Sequence, residues 1–243
     1  MLSTGKRVTA VARLRLAIKK DNALQFLSHL DFARTVRLIV IRADLPVLYS
    51  EGFNPHMKLS FASALGVGVA ADEEFMDLEL AKEIPVDDVM TRMNEKSPLG
   101  FAVLCGKYID QKAPKLMAAA NYAVYTLCGP VTGKITEEDL ARLLRAFNDA
   151  DTVQYEKYSP KTRKTRRINV KEHVIAPITG RTDGENLELT AGIYQTEEGS
   201  VKPAQIWEIL ADTFAFPINK ELMLARRIAL WHRQDGVNTS LFE

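Results

Sequence analysis

The periodicity of apolar residues switches between two and about 3.6 in a fixed order along this chain, and that order most limits its fold. Val11 to Ile18 alternates, with Leu14, Leu16 and Ile18 on one face and Arg13 and Arg15 on the other, the pattern of a half-buried strand. Ser28 stands as an N-cap with Asp31 three residues on, and Phe32, Val36, Ile39, Val40 and Ala43 follow at helical spacing. Leu45-Pro46 ends that helix, because a residue before proline is pushed out of the helical region. Pro46 to Ser50 and Lys58 to Ala62 read as extended, and Glu74 to Leu80 alternates with Phe75 facing away from Met76, Leu78 and Leu80. Ile84-Pro85 opens a helix carrying Val86, Val89, Met90 and Met93, and Phe101 to Tyr108 is a strand. Strand, helix, strand, strand, helix, strand is the split β-α-β, ferredoxin-like order.

The second half repeats this order without repeating the residues. Tyr122 to Leu127 is a strand, Thr136 caps a helix through Phe147, and Val153–Tyr158 with Arg166–Val170 forms a hairpin around a basic tip. Leu187 to Tyr194 is a strand, Lys202-Pro203 opens a helix ending near Phe214, and Lys220 to Trp231 is the last strand. The expected fold is therefore α+β: two ferredoxin-like (βαββαβ) halves in tandem, with antiparallel sheets and helices on one face. The expected domains are residues 1–112 and 121–243, joined through Gln111–Asn121.

With 243 residues, 47% hydrophobic and 26% charged, the chain has the composition of a soluble globular protein with real cores. Its net charge is +1, and the balance is even on both sides of Ala120: 16 basic and 14 acidic residues before it, 16 and 17 after. A nucleic-acid binder of this composition needs a local patch, not a global field. No stretch reaches the roughly 18 apolar residues of a membrane span, so a cytoplasmic protein off the membrane is expected. The two cysteines, Cys105 and Cys128, are too few for a disulfide framework and read as reduced thiols.

Chemical variety concentrates in Tyr49-Ser50-Glu51-Gly52-Phe53-Asn54-Pro55-His56-Met57-Lys58-Leu59-Ser60-Phe61-Ala62. Gly52 and Asn54-Pro55 break the chain, which puts His56 at a turn, free to titrate near neutral pH. Lys58 and Ser60 share one side of the strand that resumes. His29 lies in the first turn of the preceding helix, where the positive end of the dipole disfavours its proton and favours a nearby anion. Tyr49, His56, Lys58 and His29 are thus expected to converge on one site, able to position a phosphate or to serve as acid and base in metal-independent RNA cleavage. The bland readings stand beside this: His29 as a buried or capping histidine, His56 as a surface turn residue, and Gly52, Asn54 and Pro55 as turn formers.

A second candidate is Lys161-Thr162-Arg163-Lys164-Thr165-Arg166-Arg167, five basic residues in seven on a hairpin tip. Tyr155 and Tyr158 precede it and offer rings for stacking on bases. The competing reading is a solvated hairpin whose charge blocks edge aggregation. The sequence lacks a phosphate-cradling Gly-x4-Gly-Lys-Ser/Thr loop, a Gly-x-Ser-x-Gly elbow, a His-Glu-x-x-His helix and a Cys-x3-Cys-x2-Cys cluster motif. Gly66-Val67-Gly68 lacks the third glycine of a dinucleotide loop. No metal or cofactor is expected.

Several segments together resemble the radical-SAM-linked protein family, a bacterial domain of unknown function. They are Arg13-Leu14-Arg15-Leu16, Phe26-Leu27-Ser28-His29-Leu30-Asp31 with Arg34, Ala43-Asp44-Leu45-Pro46, the Tyr49–Ala62 run, Leu65-Gly66-Val67-Gly68, and more weakly Ser200-Val201-Lys202-Pro203. The helix departs from the family's Arg-rich pattern in reading Arg37-Leu38-Ile39-Val40-Ile41-Arg42. The resemblance implies association with a radical SAM protein as a separately encoded partner, and no known substrate.

The expected function is accessory: a protein that is not an enzyme on its own and that binds RNA or another anionic substrate for that partner. Tyr49, Asn54, His56, Lys58 and Ser60, with Arg34 nearby, would form one contact face, and Lys161, Arg163, Lys164, Arg166 and Arg167 a second. Two alternatives come from other classes. One is an endoribonuclease similar in layout to the CRISPR repeat-processing enzymes, drawing on His29, His56 and Tyr49. The other is a pure protein-interaction module.

Overall fold

A computed structural model describes residues 12–159, 163–196 and 199–243. It is a mixed α+β structure with antiparallel strand pairing and, among the described residues, five α helices. The chain forms two compact units: one holds the residues up to Ala120 together with Thr239–Glu243, the other holds Asn121–Asn238. The expected second half running to Glu243 therefore gives up its last five residues to the first unit. No helix among the described residues is long and apolar enough to cross a membrane.

The first unit contains β1 (Ala12–Lys20), α1 (His29–Arg42), β2 (Leu59–Phe61), β3 (Val69–Leu80), α2 (Val86–Glu95), β4 (Phe101–Ile109) and the single turn α3 (Leu116–Ala119). Its sheet runs β4-β1-β3, with β2 against β3. Register places Leu14 opposite Leu78 and Leu16 opposite Met76. These side chains, with Ile18 and Leu80, form one buried face, on which Phe32, Val36, Ile39 and Val40 of α1 and Val89 and Met93 of α2 pack. Ser28 caps α1 as its position suggests, its hydroxyl oxygen accepting from the Asp31 N–H at 3.2 Å. Pro46 to Ser50 does not form a strand of its own; it bridges β3 singly, Val47 to Leu80, and Tyr49 bridges to Met57 within the segment that follows.

The opposite face of β1 departs from its half-buried pattern. Arg15 and Asp77 are only 4% and 5% exposed. The C-terminal tail covers them: Leu241 is buried, its carbonyl accepts from Arg15 Nη1, and the Phe242 ring meets Phe75 edge-on at 5.2 Å. Alternation places an arginine on the second face but does not reveal that a distant segment closes over it.

The second unit contains β5 (Tyr122–Pro130), α4 (Glu137–Asn148), β6 (Gln154–Ser159), β7 (Lys164–Asn169), β8 (Thr179–Thr182), β9 (Asn186–Tyr194), α5 (Pro203–Phe214) and β10 (Leu224–Gln234). Its main sheet runs β10-β5-β9-β8. Thr136 caps α4 in a capping box with Asp139, and Phe147 and Phe214 join α4 to α5 edge-on at 5.3 Å. The sequence pattern differs from the structure in three places. The β6–β7 hairpin is a separate two-stranded ribbon, and the strand beside β9 is the short, exposed β8, whose residues carry no apolar alternation. Lys220–Leu222 is a turn of 3-10 helix ahead of β10, not part of the strand.

Candidate functional site

The Tyr49–Ala62 run folds as a narrow ribbon ending in a loop. The Ser50 N–H donates to the His56 carbonyl at 2.8 Å, and the His56 N–H donates back to Ser50 Oγ at 2.9 Å. Below this closure the Lys58 N–H donates to the Leu48 carbonyl, also at 2.8 Å. The ribbon is fastened to β3 by Leu48 N–H to the Glu79 carbonyl and Glu79 N–H to the Lys58 carbonyl. Residues 51–56 are all exposed. Gly52 takes φ +121°, a region that L side chains rarely adopt, while the space where its Cβ would stand is open. Glycine is needed there for conformation, not for room.

This ribbon brings Tyr49, Asn54 and His56 together at its outer end, with Lys58 and Ser60 at its base. Tyr49 is 46% exposed. Lys58 is not a free cation: its ammonium lies 2.7 Å from Glu79 Oε2. Ser60 is exposed on β2 opposite Asp77 in register. Arg34 on α1 is exposed and pairs with Asp31 at 3.2 Å, one turn back along the same helix.

His29 has different neighbours. Its ring stands edge-on to Phe61 at 5.5 Å, in a tight recess lined also by Lys20, Phe32, Ser63, Leu65 and Glu74. No hydrogen bond or ring contact joins it to Tyr49 or His56 among the described residues. Its affinity for a proton is lowered, first by burial and then by the nearby charges of Lys20 and Arg37. The helix start is thus not the main cause of that shift.

The recess contains charged groups that motif reading passes over. Lys20 is fully buried, its Nζ 3.4 Å from the carbonyls of Gln25 and Leu27 and 5.3 Å from the centre of the Phe32 ring. Glu74 is 1% exposed and accepts the Phe75 N–H at 2.9 Å. Ser63 Oγ is buried with no hydrogen-bond partner among the described residues. The sequence holds a signal for both charges: period two puts Lys20 on the face of Leu16 and Ile18, and Glu74 on the face of Met76 and Leu78.

Replacing Lys20 with methionine keeps the stem and removes the charge, so the His29 pKa should rise toward 6.5, its ordinary value. A proton NMR titration of the imidazole reads this directly, and an unchanged or lower value would contradict the Lys20 contribution. The sign for stability follows. The folded pKa lies below the unfolded one, so the unfolded chain takes up the proton first as pH falls. The contribution is intact above about pH 6.5 and is lost progressively below it.

On the hairpin, Arg163 occupies the tip in a left-handed conformation, φ +52°, and is exposed. Arg167 is exposed and pairs across the ribbon with Glu156 at 2.8 Å. In backbone register Lys164 lies opposite Ser159 and Arg166 opposite Lys157. Lys161 lies outside the described residues, as do the side chains of Tyr158, Lys164 and Arg166. The Tyr155 hydroxyl donates to Glu208 Oε2 of α5 at 3.1 Å, which engages it in holding the hairpin. Burial leads the causes that raise its pKa.

A family model described as "Uncharacterized protein conserved in bacteria (DUF2344)" matches residues 13–203. No curated protein matches the chain in sequence. Among solved structures, a chain in the crystal structure of a Cbf5-Nop10-Gar1 complex is similar over 91% of this chain and 50% of its own, at 11% identity and a TM-score of 0.53. A chain of an H/ACA RNP bound to a substrate RNA containing 2'-deoxyuridine is similar over 88% and 47%, at 11% identity and a TM-score of 0.46. This chain spans about half the length of each. At such identity the first likeness bears on fold alone, and the second is too distant to carry an argument.

Proposed function

This chain belongs to the DUF2344 family, uncharacterized proteins conserved in bacteria, and we propose that it is an RNA-binding accessory protein working through the Tyr49–His56 loop. One observation carries the reading: a loop closed by reciprocal Ser50–His56 hydrogen bonds holds an aromatic, an amide and an imidazole in water. A fold does not ordinarily use a fastened ribbon and a positive-φ glycine to display groups that touch nothing. The arrangement favours binding over cleavage. His56 has no acid or base partner among the described residues, and His29 belongs to a separate recess.

Tyr49, Asn54 and His56 make the first contact, with Lys58, Ser60 and Arg34 around its base. Lys161, Arg163, Lys164, Arg166 and Arg167 make a second. We read both units as ferredoxin-like halves, supported by the matching orders β4-β1-β3-β2 and β10-β5-β9-β8, with β6–β7 inserted after α4. A radical SAM enzyme as the partner rests on the sequence resemblance alone; the family description names none.

The measurement is fluorescence anisotropy with labelled single-stranded RNA between about 50 and 300 mM salt, the range in which phosphate neutralisation is resolved. Binding should weaken with salt. Changing Arg163, Arg166 and Arg167 to alanine should lower affinity and flatten the log–log salt slope by about 0.7 for each phosphate that is no longer neutralised. Absence of binding at the lowest salt removes the reading.

A further inference from the structure

We propose that the loop takes unpaired RNA bases rather than duplex backbone, with Phe53 as the ring on which a base stacks; this rests on the RNA-binding reading of the same site. Phe53 is 101% exposed, so its ring has no packing partner among the described residues. It follows the positive-φ Gly52 and precedes Asn54-Pro55, between the closing bonds of Ser50 and His56. The turn thus directs the most apolar side chain of the loop into water, where it gains nothing for the fold.

Charge decides what that ring meets. Within the ribbon Glu51 is exposed and acidic, while Lys58, the basic side chain, is held by Glu79 at 2.7 Å. The loop end therefore carries no unengaged lysine or arginine to draw in phosphates, and Glu51 repels them. Base faces carry no such charge. In a duplex they are covered by their neighbours, whereas in single strands and loops they are open to aromatic rings. Asn54 beside Phe53 offers an amide donor and acceptor to a base edge, and Tyr49 supplies a second, half-exposed ring.

The full chain is titrated against a labelled oligouridine of about 12 nucleotides and a labelled RNA duplex of about 12 base pairs, lengths of the order that single-strand and duplex binders span. Wild type should prefer the single strand. Phe53→Ala should weaken the single strand on the order of 10- to 100-fold and leave the duplex unchanged, while Phe53→Trp retains affinity within about threefold. Because the ring packs on nothing, circular dichroism melts of the three proteins should coincide. Wild-type binding that Phe53→Ala leaves intact overturns the stacking role alone and points to Phe53 as a protein contact. Equal weakening on both probes also overturns it. Wild type that binds neither probe overturns this inference together with the RNA-binding reading.

Discussion

Asp77→Ala should destabilise the first unit by about 3–5 kcal/mol, the usual cost of removing one partner from a buried ion pair. Arg15 Nε and Nη2 reach Asp77 Oδ1 and Oδ2 at 2.7 and 3.0 Å, a forked geometry, and both residues are almost wholly shielded from water. Arg13 adds a second guanidinium, its Nε 4.0 Å from Asp77 Oδ2 and without a hydrogen-bond partner among the described residues. Taking the carboxylate away leaves Arg15 with the Leu241 carbonyl of the C-terminal tail and Arg13 with the carbonyls of Asp110 and Ala113, and neither with a countercharge from Asp77. The double change Arg15→Met with Asp77→Leu removes charge and countercharge together and should recover most of the stability, because apolar replacements of buried pairs are commonly neutral or better. Urea unfolding followed by circular dichroism is the appropriate readout. Both tryptophans, Trp207 and Trp231, lie in the other unit, so their fluorescence does not report this site. A single-variant effect below about 1 kcal/mol, the range of exposed pairs, would contradict the shielding, and a double variant no better than the single one would contradict the pairing.

Elements with long, clean periodicity are legible in the sequence. Leu14, Leu16 and Ile18 give β1; the cap at Ser28 and the Phe32–Val36–Val40 spacing give α1; Pro203 gives the start of α5. Elements whose existence depends on a neighbour are not. β8 has no alternating apolar residues and is a strand because β9 offers it an edge, with Gly180 letting Leu189 pack closely. The tail over Arg15 and Asp77 is five residues of weak pattern whose importance lies in what they cover. Within the candidate site, the turn at Gly52 and the exposure of His56 follow from residue type. The engagement of Lys58 by Glu79 does not, since those residues are far apart in sequence and meet only through the ribbon's register on β3. The exposure of Phe53 is likewise not legible, since an aromatic among loop formers carries no signal of the direction in which the turn points it.

Trp207→Ala should cost the second unit about 3–5 kcal/mol, the range for deleting a fully buried large aromatic. The indole is 1% exposed, and an added Cβ on Gly129 would stand 2.8 Å from its Cζ2, so the ring lies directly on the β5 backbone. Its N–H donates to the Asn219 carbonyl at 3.0 Å, which fixes the turn leading into β10. Alanine removes the packing against β5 and the hydrogen bond together, and a close-packed interior fills such a space only in part. Trp207→Phe separates the two effects: it keeps most of the ring volume and should cost about 1–2 kcal/mol, chiefly for the unpaired Asn219 carbonyl and the smaller ring. The effect should also travel along α5. Glu208, the next residue, accepts the Tyr155 hydroxyl and so ties the basic hairpin to this helix. Loosening α5 in the alanine variant should speed amide hydrogen exchange in β6 and β7, while the β4 amides of the other unit keep their rates. Unchanged exchange in the hairpin would mean that the Tyr155–Glu208 bond does not position it, and the basic tip would then depend on its own ribbon alone.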